Sequence, residues 1–414
     1  MKASLHIVAL VLLGAVMPVV AQTAGQSMNP DLSVIIDTFM FYDDSQEGLE
    51  HLYSEIEGFG HIHAGGEEHG HDHGPNQGFN IRHLELMLSA EVDPAFKARA
   101  IAAVLPEGAE IEEAVIETTS LPGGLALRVG KFFSDFGRIN PQHEHEYDFT
   151  EGPLINTLVF GHHGINDLGL QVSWLAPTEQ YLLCGLELFQ GGAEEGQFVY
   201  LGAEELPEWN GPRLGVCWAK YAPTLPGPHG LQLGVSFGSG IKQEEHDGNA
   251  DGTPDHWLDG RPFFWGVDFV YKFDAVEAYG KGDIAVQFEY IYRNEDLEVI
   301  RHDLIPALEG EHTVNKQGGY YLQATYGFAP QWRAGLRYEQ VGVVNDITLP
   351  DGTHEEPDAS SRTSAMVDYS YSEFSRLRFG IGQGTYATAD GTENALAAIF
   401  QFQISIGEHG AHKF

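Results

Sequence analysis

The segment "NALAAIFQFQISIG", Asn394–Gly407, alternates along its whole length. Leu396, Ala398, Phe400, Phe402, Ile404 and Ile406 fall on one side, and Ala397, Ile399, Gln401, Gln403, Ser405 and Gly407 on the other. Successive side chains of a strand point to opposite faces, so this stretch has one continuously apolar face and one that is small and polar. "DIAVQFEYIYR" (Asp283–Arg293) repeats the pattern. So does "QWRAGLRYEQ", with Trp332, Ala334, Leu336 and Tyr338 against Arg333, Gly335, Arg337 and Glu339. Strands of about ten residues with this dyad period suit a wall between hydrocarbon and water.

About sixteen such strands can be read, near 31–42, 79–92, 95–104, 110–119, 123–133, 167–176, 180–190, 212–221, 229–239, 262–273, 283–294, 317–328, 330–341, 363–372, 374–385 and 394–407. Short links ("VDPAF", "SLPGG", "LAPTEQ", "GFAPQ", "YSEFS") alternate with mostly long ones near 43–78, 134–166, 191–211, 240–261, 295–316 and 342–362. The short link around "PEGAE" is the exception on the long side. The expected fold is all-β: a transmembrane up-and-down antiparallel β-barrel with short periplasmic turns and long extracellular loops, in the outer membrane of a Gram-negative bacterium. A soluble sandwich uses fewer strands and covers its wet face with Lys, Thr and Glu, whereas the polar face here is rich in Gly, Ser and Gln.

The start, "MKASLHIVALVLLGAVMPVVAQ", reads as a signal peptide over residues 1–21, leaving 22–414 as the barrel. No other stretch approaches the ~18 consecutive apolar residues of a membrane-crossing helix. Sixty acidic residues against 22 basic give a formal net charge of −38. That excludes a nucleic-acid partner and favours cations near the surface. Cys184 and Cys217 are the only cysteines. They are expected on neighbouring strands, facing opposite sides, as free thiols.

Three constellations can bind metal. The first external loop, 43–78, contains "FGHIHAGGEEHGHDHGPNQG", with His61, His63, Glu67, Glu68, His69, His71, Asp72 and His73. Imidazoles at every second position of an extended chain share a side, and with carboxylates they suit Zn²⁺, Cu²⁺ or Ni²⁺. The second lies in 134–166, a candidate constriction loop: His143 and His145 in "NPQHEHEYDFTEG", His162 and His163 in "FGHHGIND". The third is "DGNADGTPD", where Asp247, Asn249, Asp251 and Asp255 take positions one, three, five and nine of a calcium-loop pattern with Gly252 at six. A structural Ca²⁺ there competes with a plain Asp/Asn/Gly turn. On the wall, Glu85, Arg99, Glu113, Glu117, Arg128, Glu289, Arg333, Arg337, Glu339, Asp368, Arg376 and Arg378, together with His83, are expected to line the pore.

"IEEAVIETTSLPGGLALRVGKFFSDFGRINP", Ile111–Pro141, resembles the hairpin and following loop of the phosphate-selective porin-like family of outer-membrane proteins. Here Ser134-Asp135 stand where that family usually has x-Pro. The final "FQFQISIGEHGAHKF" is similar to the last strand of a branch of that family associated with zinc limitation, and Phe414 matches the terminal aromatic read by the barrel-assembly machinery. The resemblance implies a porin-like channel in contact with lipid and lipopolysaccharide, and it admits a homotrimer. Phosphate-selective relatives line the pore with Lys and Arg; this chain is poor in both, so phosphate selectivity is not carried over.

The expected function is passage of small hydrophilic solutes, favouring cations and divalent metal such as zinc, with the His-rich loop capturing the ion. The alternative is a surface metal scavenger that uses the barrel only as an anchor. A barrel enzyme is not expected: the His and Asp residues crowd into glycine-rich loops rather than the rigid positions that catalysis needs. The chain is also too short for a plugged receptor of about 22 strands.

Overall fold

The computed structural model describes residues 30–45, 48–59, 74–105, 108–191, 203, 206–207, 209–247 and 253–407. Sixteen strands close into an antiparallel wall: β1 (Asp31–Asp43), β2 (Gly78–Asp93), β3 (Phe96–Val104), β4 (Ala109–Thr118), β5 (Leu125–Phe133), β6 (Asn166–Leu175), β7 (Tyr181–Phe189), β8 (Leu214–Ala222), β9 (His229–Gly240), β12 (Phe263–Phe273), β13 (Ile284–His302), β14 (His312–Ala329), β15 (Trp332–Thr348), β17 (Ser360–Ser372), β18 (Ser375–Thr388) and β19 (Gly391–Gly407). Closure comes from β1 pairing with β19, Val34 opposite Ile406 and Phe41 opposite Ile399, while its other edge pairs with β2. Closure leaves no open sheet edge in the wall.

Burial runs opposite to that of a water-soluble protein. Phe400, Phe402 and Ile406 are 48, 42 and 55 % exposed, whereas Gln401 and Gln403 are 2 and 6 % exposed. The apolar face therefore looks outward to lipid and the polar face inward. Trp174, Tyr181, Trp265, Trp332, Phe374 and Tyr371 contribute aromatic rings to the outer surface.

The wall strands fall within a few residues of the expected ones, with three differences on the external side. β13, β14 and β15 run for 19, 18 and 17 residues, well past the belt. A hairpin of β10 (Lys242–His246) and β11 (His256–Gly260) stands between β9 and β12, with β11 pairing onto the end of β13. The two-residue β16 (His354–Glu355) pairs with β15. The cysteines differ too. Register sets Cys184 opposite Ala219 and Cys217 opposite Leu186, so both thiols lie on the outer face, two positions apart and unbridged. The outward neighbours Leu186 and Leu188 mark that face.

The barrel is not hollow. The helix α1 (Leu49–Ser54) of the first long loop and α2 (Leu154–Phe160) of the loop after β5 are packed inside it. Phe136, Phe160 and Phe264 meet edge to face with centroids 5.1–5.2 Å apart, and Tyr53 packs on Tyr386 at 5.5 Å. Ile155, Val159, Phe132 and Phe189 complete an apolar core on the inner side of the wall.

Candidate functional site

How residues 134–165 enter the lumen follows from β5. Gly130 sits at φ +133°, where a Cβ would come within 1.9 Å of Ala114 O, so β4 and β5 can pair so closely only with glycine. At the next turn, the Glu187 carboxylate takes hydrogen bonds from Ser134 Oγ, from Asp135 N (3.0 Å), from Gln171 Nε2 (2.7 Å) and from Trp218 Nε1 (2.8 Å). The chain is thereby pulled inward. Lys220 Nζ donates to Gly137 O and pairs with Asp268 at 2.9 Å. Glu289 Oε1 accepts from Arg138 N and Glu339 Oε1 from Leu154 N, both at 3.0 Å.

The strand arginines complete the hold. Arg376 donates to His145 O (2.6 Å), Arg378 to Tyr147 O and Phe149 O (2.8 Å each), and Arg337 to Glu151 O (2.9 Å). Arg333 pairs with Asp148 and Asp368. A loop inside a barrel has carbonyls that must find donors, and the inner-wall guanidiniums supply them. Arg333, Arg337, Glu339, Asp368, Arg376, Arg378 and Glu289 thus lie on the inner face, engaged with the loop or with one another. Arg128 pairs with Glu117 and Asp135, and Arg99 with Glu113.

Beside this packed half remains a cavity of about 1020 Å³ between the loop and the wall of β1–β4. Arg82, His83, Glu110, Glu112, His143, Glu144, His162 and His163 border it. His143 Nδ1 lies 3.3 Å from Glu112 Oε2 and 3.7 Å from Glu85 Oε2, and its Nε2 lies 3.6 Å from Glu113 Oε1. Glu85 Oε2 is also 3.0 Å from His145 Nδ1 and 3.8 Å from His83 Nε2. The rings of His143 and His145 stack at 5.6 Å. Two sets of ligand atoms therefore share Glu85, one with His83 and His145 and one with Glu112 and His143, and within each set the atoms lie within 4.8 Å of one another. Among the described residues, His83 Nε2 is buried without a hydrogen bond. Burial works against a charge on His143, but hydrogen bonds to Glu112 and Glu113 and the charge of Glu85 outweigh it and push its pKa up to about 10. The pocket is built to hold positive charge.

His143 and His145, read from sequence as candidates, are brought together. His162 and His163 are not in this cluster; they stand half-exposed at its rim, His162 Nε2 2.9 Å from Glu50 and His163 Nδ1 3.9 Å from Glu110. Glu112 escaped the sequence reading because strict alternation points it outward. A β-bulge turns it in: Ile101 pairs with Glu113 and Ala102 with Ile111, leaving Glu112 as the extra residue. His61, His63, Glu67, Glu68, His69, His71, Asp72 and His73 lie outside the described residues, as do residues 1–21, Asn249, Asp251 and Phe414. Of the calcium pattern, Asp247 and Asp255 are described, and Asp255 Oδ1 is turned to His256 Nδ1 at 2.8 Å.

A closed sixteen-strand barrel with an apolar outer belt and an inward-folded loop defines an outer-membrane barrel of the porin type, which places the chain in the outer membrane. Its fold is similar to the outer membrane channel DcaP of Acinetobacter baumannii (TM-score 0.54, 11 % identity, 92 % of this chain and 99 % of that one). It is also similar to OmpT of Vibrio cholerae (TM-score 0.52, 11 % identity, 91 and 97 %) and to Pseudomonas putida OprB (TM-score 0.52, 9 % identity, 91 and 94 %). No family model matches the chain. The chain belongs to the family of an uncharacterized protein of Aquifex aeolicus (strain VF5), with which it is 34 % identical over 390 residues, 93 % of this chain and 80 % of that protein.

Proposed function

We propose that this barrel is a porin-like channel for small hydrophilic solutes that favours cations and passes divalent metal such as zinc. The ion's route runs along the β1–β4 side, because the other half of the lumen is filled with apolar side chains. Glu85, Glu112, Glu113, His83, His143 and His145 give a transit site of nitrogen and oxygen donors suited to Zn²⁺, which displaces the proton held on His143 when it binds there. The observation that carries the reading is the pair of ligand sets sharing Glu85 beside the 1020 Å³ cavity. In this reading the histidines of 61–73 collect the ion outside, and His162 and His163 receive it at the rim. A homotrimer belongs to the same reading; one Vibrio cholerae OmpT structure is described as a trimer form.

The filled half of the lumen favours one other reading, a metal scavenger anchored by a barrel that does not conduct. Proteoliposomes holding an entrapped zinc-sensitive dye separate the two. A channel gives a rise in signal on adding external Zn²⁺ that scales with the barrels per vesicle. An anchor binds zinc outside and leaves the dye unchanged.

A further inference from the structure

Away from the lumen, the external hairpin carries a second cluster of imidazoles. His246 on β10 pairs in register with His256 on β11, and His256 pairs with His302 at the end of β13. Three histidines thus stand in a row across three strands. Their rings are nearly parallel, with centroids 5.0 Å apart for His246 and His256 and 4.9 Å for His256 and His302. Asp255 is buried and within 2.8 Å of His256 Nδ1, while Asp303 N donates to Asp255 O at 2.7 Å. Ligand atoms of Asp255, His256 and His302 all fall within 4.8 Å of one another. His246 is 6 % exposed, and its Nδ1 is buried with no hydrogen bond among the described residues.

We propose that Asp255, His256 and His302, with His246 stacked beside them, form a second, external site for a borderline divalent metal, Zn²⁺ in the first place. The donor set is imidazole with a carboxylate, the chemistry of zinc rather than of calcium, which takes oxygen ligands. Ile305 N meets His302 Nδ1 at 3.3 Å, a long contact that a metal on that nitrogen would replace. Because the ligands come from β11, β13 and the residue leading into β11, the ion would clamp the hairpin onto the long strand that carries it. The site neither requires nor supplies a conducting pore, so it stands independently of the channel reading.

The test is hydrogen–deuterium exchange of the full chain in detergent, read on peptides covering 242–261 and 296–305, with and without Zn²⁺. At a free Zn²⁺ about tenfold above Kd, local opening of the hairpin should slow about tenfold. The slowing should persist in Glu85→Gln, which disables only the lumen cluster, and vanish in the double variant His256→Ala/His302→Ala. Absence of slowing in the wild type, equal slowing in the double variant, or slowing by Ca²⁺ and not Zn²⁺ overturns the proposal. If the double variant exchanges faster without metal, anomalous diffraction at the zinc edge from wild-type crystals decides. A peak between His256 and His302 supports the site, and an empty position refutes it.

Discussion

Glu112 and Glu113 follow one another in the chain, yet both carboxylates reach the ring of His143, at 3.3 Å from Nδ1 and 3.6 Å from Nε2. The bulge opposite Ile101 and Ala102 makes this geometry, and it concentrates acidic charge where a permeating cation would pause. Glu112→Gln should weaken zinc block of KCl current by about 10–100-fold, the scale of losing one group in such a shell. Glu85→Gln, which touches both ligand sets, should weaken it further. A dose–response of single-channel block reads both, and an unshifted curve in Glu85→Gln would remove the cluster from the route.

The lumen loop is held from the wall, so its anchors should control the open area. Lys220 bonds Gly137 O and is the ion-pair partner of buried Asp268. Lys220→Met leaves Asp268 buried and alone, at a cost of about 3–5 kcal/mol. It should lower the urea midpoint of the folded barrel and raise conductance as residues 134–165 loosen. Equal conductance in the variant would show that the loop does not limit the current.

Acid should release the same loop in a sign that can be stated. Burial opposes the charge on Asp148, but Arg333 and Arg378 outweigh it and hold its carboxyl below the ordinary Asp range. A group depressed on folding adds stability that is complete above its unfolded value of about 4 and is lost as pH falls through the lower folded value. Conductance should therefore be steady from neutral pH down to about 4 and grow noisier below it. Asp148→Asn should already be noisy at neutral pH, with less change on acidification. A rise in noise confined to alkaline pH would contradict the assignment.

Much of the architecture could be read from the chain because lipid and water impose opposite demands on adjacent residues. Leu336 and Arg337 are neighbours whose faces were evident from alternation alone. The contrast disappears where both faces meet water, so the outer ends of β13–β15 and the five-residue strands β10 and β11 gave no signal. It was also silent about Phe136, Phe160, Phe189 and Phe264, which are apolar yet inward, because they pack on a loop whose path depends on anchors such as Glu187 and Glu289. Glu112 was hidden by the bulge, and His83 and Glu85 are joined to His143 and His145 only through the folded loop.

The two-solvent wall can be probed at one pair of residues. Leu336 is 64 % exposed on the outer face and Arg337 is 3 % exposed on the inner. Leu336→Arg should cost about 2–4 kcal/mol if it sits near the midplane of the bilayer. Arg337→Leu should leave the outer belt intact and free the Glu151 carbonyl. Folding into vesicles, followed by the heat-dependent shift in gel mobility, measures both. Efficient folding of Leu336→Arg would speak against lipid on that face.

The reversal potential of single barrels across a KCl gradient, taken before and after adding Zn²⁺, tests the proposed route most directly. A cation-selective sign, with zinc block that Glu85→Gln relieves, is the predicted result. An anion-selective sign, or a current indifferent to zinc, would contradict it.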